Sequence, residues 1–271
     1  MTDGLNPTDD DHAFLRFEFT NRERAIFSIE ERDLEAQLLA IKGVLRRNRE
    51  ADKAVAQSIN ELDEYVRSHT GDDVEYQMQV EGKWLDALHD SVFRDAANSM
   101  SAVGMLGPFV ESLFISIFLY LRKRHREDSV ADSSDVRSAA AETAFWDPHF
   151  VFEKGGRRTD LVGGIKQLAT STGLAEFLPD GYEKTLTALF AYRNKMFHHG
   201  FEWPVEERQK FDKRIIADGW PSDWFSRSTS NGEPWAFYMS MAFIAHCLAT
   251  IDAVLEGFGK FLTQGKEMDL E

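Results

Sequence analysis

One run of apolar positions constrains the fold of this chain more than any other feature. Between Leu34 and Val66 the steps alternate without a break between four and three residues, through Leu34, Leu38, Ile41, Leu45, Asn48, Asp52, Val55, Ile59, Leu62 and Val66. That period is typical of a helix packed along one seam against a partner helix. The polar Asn48 and Asp52 indicate a bend, or a device that sets the register of the partner. We predict a long N-terminal helix or helical hairpin over residues 21–70.

Helical patterns continue through most of the chain, so we predict an all-α fold. Glycines and Pro108 interrupt the pattern near residues 104–108, and a new helix is expected from Phe109 to Leu121, where the sequence is apolar almost all round. We expect loops over residues 149–159 and 218–233, and a last helix over 235–261. The predicted organisation is an acidic flexible tail (1–20), a long N-terminal helix (21–70), a helical domain (80–262) and a C-terminal tail (263–271).

Composition narrows the possible classes of function. The 271 residues carry a formal net charge of −15, which argues against broad, non-specific nucleic-acid binding but permits a local site. The single cysteine, Cys247, fits a reducing compartment, and the acidic first residues predict no signal peptide. No apolar run reaches the ~20 residues expected of a membrane span. We therefore expect a cytoplasmic protein with no membrane partner.

The segment from Tyr192 to Gly200 concentrates polar chemistry at the end of one helix. That helix is expected to start near Asp180 and to end at Gly200, a residue suited to helix termination. Asn194 and His198 are four residues apart and share a face. Arg193 and His198 are five apart and point roughly 140° away from each other. One such helix cannot easily aim both at one small target, whereas a second copy or a neighbouring groove would bring them together.

This segment resembles the signature of the HEPN superfamily, an arginine, a polar residue and, after a gap, a histidine near a helix end. The resemblance rests on Arg193, Asn194, His198 and Gly200 and covers residues 180–204 most firmly. It implies a helical bundle of HEPN type and a metal-independent ribonuclease whose composite site lies at a dimer interface, often in a toxin or an antiviral defence effector. It also implies roles for Arg193 on the scissile phosphate, for Asn194 in orientation and for His198 as acid or base. His199 matches no motif position and is a substitute candidate.

The residue types suit that reaction on chemical grounds as well. Cleavage of RNA by its own 2′-hydroxyl requires a base, an acid and a cation that offsets charge on the phosphate. Histidine titrates near neutral pH, and arginine presents a planar fork of donors that stays charged. One chain offers one well-placed histidine. A two-fold homodimer would supply two histidines and two arginines to one cleft.

Other residues are candidates for support and for RNA contact. Glu111 lies on an otherwise apolar helix face, so we expect it either to pair with Arg193 or to be exposed near the start of its helix. Lys154, Arg157 and Arg158 form a basic loop with two glycines, and Lys195 adds a cation within the motif helix. These four are predicted RNA contacts, although a solvated surface is the alternative for such clusters. An acidic ribonuclease should be selective, which favours a structured target such as tRNA.

The sequence does not indicate a metal site, a nucleophile elbow or a dinucleotide-binding site. Spacings typical of zinc or carboxylate metal sites, nucleophile elbows and dinucleotide fingerprints do not occur outside the Asp9–His12 tail. We therefore expect no metal and no cofactor. The alternative function is a catalytically inactive HEPN-like module that binds a nucleotide, RNA or a protein. The N-terminal heptad segment favours self-association or a regulatory protein partner in either case.

Overall fold

The computed structural model describes residues 19–29, 32–68, 74–128, 137 and 142–268. Most of the predicted acidic tail lies outside these residues. The described chain is predominantly helical, which confirms the predicted class in its coarse form. The helices are α1 (Asn21–Ser28), α2 (Leu34–Ser68), α3 (Val74–Asp128), α4 (Glu142–Phe145), α5 (Leu161–Ser171), α6 (Tyr182–His199), α7 (Val205–Ala217) and α8 (Met241–Met268). Two antiparallel hairpins, β1 (Phe150–Glu153) with β2 (Gly156–Thr159) and β3 (Phe225–Ser230) with β4 (Glu233–Met239), interrupt them.

The heptad pattern of α2 is explained by α3, which returns alongside it. Leu34, Leu38, Ile41 and Leu45 are buried, and the later seam positions are half-buried. Asp52 of the seam accepts a hydrogen bond from Asn98 of α3, and Tyr65 contacts Tyr76, so the two helices run antiparallel. The carboxylate of Asp52 is therefore hydrogen-bonded by the partner helix, as expected of a polar seam residue that sets the register of two helices.

Helix α3 is longer than the sequence indicates. It continues through Gly104, Gly107 and Pro108, where we expected a break, and its middle part is the centre of the hydrophobic core. Leu113, Phe114, Ile117 and Phe118 of α3 are at most 1% exposed and pack with α6 and α8. The glycines are contact positions for α6. A Cβ at Gly107 would lie 2.9 Å from Arg193 Cδ, and one at Gly104 would lie 3.4 Å from Phe197.

The segments predicted as loops contain short β-hairpins: β1–β2 lies within residues 149–159, and β3–β4 begins within residues 218–233 and extends to Met239. This small strand content is compatible with the predominantly helical class. The first hairpin, β1–β2, is fixed to α5 because the Gln167 side chain bonds both the N–H and the carbonyl of Phe152, each at 2.9 Å. Because the second hairpin, β3–β4, continues to Met239, the last helix begins at Met241 and not at Trp235 as predicted. Helix α8 then runs to Met268, through most of the segment assigned to a C-terminal tail.

Two helices, α3 and α8, are long and apolar enough to cross a membrane by length and composition alone. In the folded chain, 61% and 50% of their most apolar stretches are buried against other elements. Packing in the core therefore accounts for much of their apolar character. The expected absence of a membrane span stays a prediction.

Candidate active site

The rotation of α6 about its axis decides where the motif side chains point. Tyr192 is fully buried, its hydroxyl donates a 2.8 Å hydrogen bond to the carbonyl of Phe237 in β4, and Met196 is 1% exposed. These contacts turn Arg193 toward α3. Asn194 and His198, farther round the same helix, are exposed. Gly200 ends the helix at φ +70°, and its N–H donates to the carbonyl of Met196 at 2.9 Å.

Arg193 forms the ion pair with Glu111 that the sequence suggested. Its Nη1 lies 3.0 Å from Glu111 Oε2, and the two side chains are 32% and 25% exposed. Gly107, one turn before Glu111 on α3, leaves the space that the arginine stem occupies. The ion pair is therefore partly shielded from water, and about a third of the Arg193 side chain stays accessible.

A histidine that the sequence did not single out completes this cluster. His149 Nε2 lies 3.0 Å from Glu111 Oε1, and its Nδ1 lies 2.8 Å from Asp147 Oδ1. The Asp147 carboxylate also accepts the backbone N–H of His149 at 2.9 Å, which closes a local turn. The Asp-Pro-His spacing was a signal for this turn, but nothing local relates it to a glutamate 38 residues earlier.

The segment that carries His149 is held firmly. The buried Arg137 donates hydrogen bonds to the carbonyls of Asp147 (2.8 Å) and Phe150 (2.9 Å). The segment also lies so close to α5 that a Cβ at Gly164 would come within 1.9 Å of the Pro148 carbonyl oxygen. Only glycine fits at that contact. These interactions fix the position of the imidazole relative to α3.

The charges of the cluster shift two pKa values. Burial alone would raise the pKa of Glu111, but the hydrogen bond from His149 and the charge of Arg193 lower it below its ordinary value. The hydrogen bond to Glu111 and the contact with Asp147 raise the pKa of His149, despite partial burial. The cluster therefore favours the ionised form of Glu111 and the protonated form of His149, compared with the same side chains in isolation.

The other motif side chains do not join this cluster within one chain. His198 is exposed, His199 is half-buried, and their ring centroids are 6.4 Å apart. Asn194 is exposed near His198 on the same face of α6. One chain thus presents two separate groups, Arg193 with Glu111 and His149 on one side, and Asn194 with His198 on another.

The three cations of the predicted basic loop lie on the hairpin that starts directly after His149. Lys154 is exposed in the turn, and the guanidinium of Arg157 lies 4.2 Å from the centre of the Phe150 ring. Arg158 is bound by Glu153 at 2.9 Å and by Asp160 at 2.5 Å. The hairpin therefore carries basic charge in the segment that follows His149, and Arg158 is largely neutralised there.

Lys195 is also engaged by an acidic partner. Its ammonium group forms an ion pair with Glu207 of α7, which binds Lys210 at 2.8 Å as well. The two lysines lower the pKa of Glu207 to about 2, so this carboxylate stays charged over the physiological range. Lys195 consequently has less charge to offer RNA than an unpaired lysine would have.

The arrangement suits the binding of an anion at Arg193 and proton transfer by an exposed histidine. Among the described residues, no three His, Cys, Asp or Glu side chains form a group able to hold a metal ion. Metal-free chemistry stays a prediction from the motif. Comparison with protein-family models, with curated proteins and with solved structures found no significant match to this chain.

Proposed function

We propose that this protein is a metal-independent endoribonuclease of HEPN type that cleaves RNA in a composite site between two copies of the chain. One observation carries the proposal. Arg193, the arginine of the motif, is held by Glu111 at the α3–α6 contact with 32% of its side chain exposed, and Glu111 also binds His149, the residue directly before the basic hairpin. A guanidinium fixed in this way is pre-organised to receive a phosphate.

The reaction would use the 2′-hydroxyl of the substrate as nucleophile. The 2′-oxygen attacks phosphorus, the bond from phosphorus to the 5′-oxygen breaks, and the products are a 2′,3′-cyclic phosphate and a 5′-hydroxyl. A base takes the proton of the 2′-hydroxyl, and an acid protonates the leaving 5′-oxygen. Glu111 contacts Nη1 of Arg193, so other N–H groups of the fork remain for phosphate oxygens. His198 is our candidate for proton transfer, with Asn194 as its orienting neighbour and His199 as a substitute.

The orientation of α6 supports the participation of a second copy. Arg193 and His198 lie roughly 140° apart around the same helix, so no rotation of α6 can bring them together, and the buried Tyr192 and Met196 fix the direction in which each faces. A two-fold pair that joins the exposed face of one α6 to the Arg193 edge of the other would bring both groups to one phosphate. A toxin or antiviral effector acting on a structured RNA such as tRNA is the biological role we propose.

An inactive binding module is the second candidate, and one specific observation favours it. Within one chain, Arg193 is already paired with a carboxylate and His198 faces elsewhere. That arrangement suits a module that would bind the phosphate of a nucleotide or an RNA without cutting it. A regulatory protein is another partner that such a module would bind.

The test is cleavage of total cellular RNA by the purified protein in excess EDTA. Wild type is compared with Arg193→Ala, His198→Ala and His199→Ala, the last of which tests His199 as the substitute for His198. All four must have the same circular dichroism spectrum and oligomeric size. We expect Arg193→Ala and His198→Ala each to reduce cleavage by at least about 100-fold, in line with the loss of a phosphate ligand or a proton-transfer group. Equal cleavage by all four proteins, or no cleavage by wild type, would favour the binding module over the ribonuclease.

A further inference from the structure

Both oxygens of the Glu111 carboxylate are engaged by basic side chains from different parts of the fold. Oε2 accepts from Arg193 of α6, and Oε1 lies 3.0 Å from Nε2 of His149, in the segment before β1. Arg193, the motif residue, thus makes only one of the two contacts that hold this carboxylate in place. The other contact belongs to a residue outside the motif.

Both ring nitrogens of His149 are themselves occupied by carboxylate oxygens. A neutral imidazole can donate only one hydrogen bond, whereas an imidazolium donates two, to Glu111 and to Asp147. With neither nitrogen free, His149 is poorly placed to take a proton from an RNA hydroxyl. His149 can therefore influence the site through its contact with Glu111.

We propose that His149 is a positioning residue for Arg193, which clamps Glu111 from the opposite side and offsets the negative charge of that carboxylate beside a bound phosphate. This rests on the proposed function in one respect, that Arg193 is the phosphate ligand. With His149 charged, two cations balance Glu111 and Asp147. With His149 neutral, the cluster carries a net negative charge that opposes an incoming anion.

The charged groups around His149 identify it as the one that titrates. Glu111 of α3 and Asp147 of its own segment are the carboxylates that face it, and Arg193 lies across Glu111. Arg137 binds the neighbouring carbonyls, and Arg157 of β2 lies over Phe150. Arginines stay protonated to above about pH 12, and the lowered pKa of Glu111 keeps it ionised. The His149 charge is present below its raised pKa and is lost as the pH rises through that value.

The experiment measures the affinity of the full-length protein for sulfate, which keeps its double negative charge from pH 6 to pH 9. Isothermal titration calorimetry is performed on wild type, His149→Gln, His149→Lys and Arg193→Ala. We expect the wild-type affinity to fall by about three- to tenfold over this range, the size of effect of one nearby charge at a protein surface. His149→Gln should bind weakly and without pH dependence. His149→Lys restores a fixed charge and should bind more tightly than His149→Gln, again without pH dependence, and Arg193→Ala should not bind.

Several outcomes would overturn this role. They are an unchanged pH dependence in His149→Gln, its loss in His198→Gln instead, sulfate binding that survives Arg193→Ala, and absence of sulfate binding by wild type. A purely structural role of His149 would weaken binding in both His149 variants, without rescue by lysine. If the sulfate results are as expected but no RNA is cleaved, the ribonuclease proposal fails while the positioning role stands.

Discussion

Arg157 and Arg158 are adjacent in sequence but differ in how much of their charge is available to RNA. Arg158 is bound by both Glu153 and Asp160, whereas Arg157 contacts the ring of Phe150 and makes no ion pair among the described residues. Neutralised cations contribute less to phosphate binding than unpaired ones. The two neighbours therefore form a matched pair for testing whether the hairpin binds RNA.

We expect Arg157→Ala to weaken RNA binding more than Arg158→Ala. Affinity is measured by fluorescence anisotropy with a 2′-O-methyl RNA, which has no free 2′-hydroxyl and cannot be cut by the proposed reaction. Loss of one phosphate contact should reduce affinity by about threefold or more and lower the slope of log affinity against log salt by about one. Equal, small effects of both variants would remove the hairpin from the RNA-binding surface.

At the scale of elements, the position of Arg193 depends on how closely α3 and α6 approach. Gly107 and Gly104 both face α6, but a Cβ at Gly107 would lie only 2.9 Å from Arg193 Cδ, while one at Gly104 would make an ordinary contact, 3.4 Å from Phe197. Both glycines lie inside a helix, where alanine is favoured by about 1 kcal/mol. The same substitution at the two positions thus separates helix stability from the placement of the arginine.

We expect Gly107→Ala to reduce RNA cleavage by at least about tenfold, because the arginine must shift away from Glu111 and small misplacements of catalytic groups are costly. Its melting temperature should stay equal or rise, since alanine stabilises the helix. Gly104→Ala is the control and should keep most of its activity. Equal activity of the two variants would show that the close approach at Gly107 is unimportant for function.

The same glycines show why part of the fold could not be predicted from the sequence. Helical periodicity predicted the core helices because it follows directly from burial on one face. Gly104, Gly107 and Pro108 indicated a helix end, yet here tertiary contacts with α6 give the glycines their role and α3 continues through all three. The hairpin before Met241 was missed because Trp235 and Phe237 also fit a helical apolar pattern. Glu111 could be paired with Arg193 from its apolar surroundings, whereas His149 approaches it only through the folded chain.

At the scale of the whole molecule, the larger of the two hydrophobic clusters among the described residues holds the site in place. It includes Ala25 of α1 and Leu34 of α2 together with residues of α3, α6 and α8. The N-terminal helices therefore contribute to the same core as the motif helix. Arg193 and His198 lie roughly 140° apart around α6 because of their spacing, and a core of this extent fixes the direction in which each of them faces. The proposed reaction consequently depends on the assembly of two chains.

That dependence is tested by mixing two inactive variants. Arg193→Ala keeps His198, and His198→Ala keeps Arg193, so a mixed dimer contains one complete composite site if each site takes its arginine and its histidine from different chains. After dissociation and reassociation at equal concentrations, half of the dimers are mixed, and about a quarter of the wild-type cleavage should return. The controls are each variant carried alone through the same procedure. If each site lies within one chain, no mixture regains activity, and the α6 face bearing His198 would need another explanation.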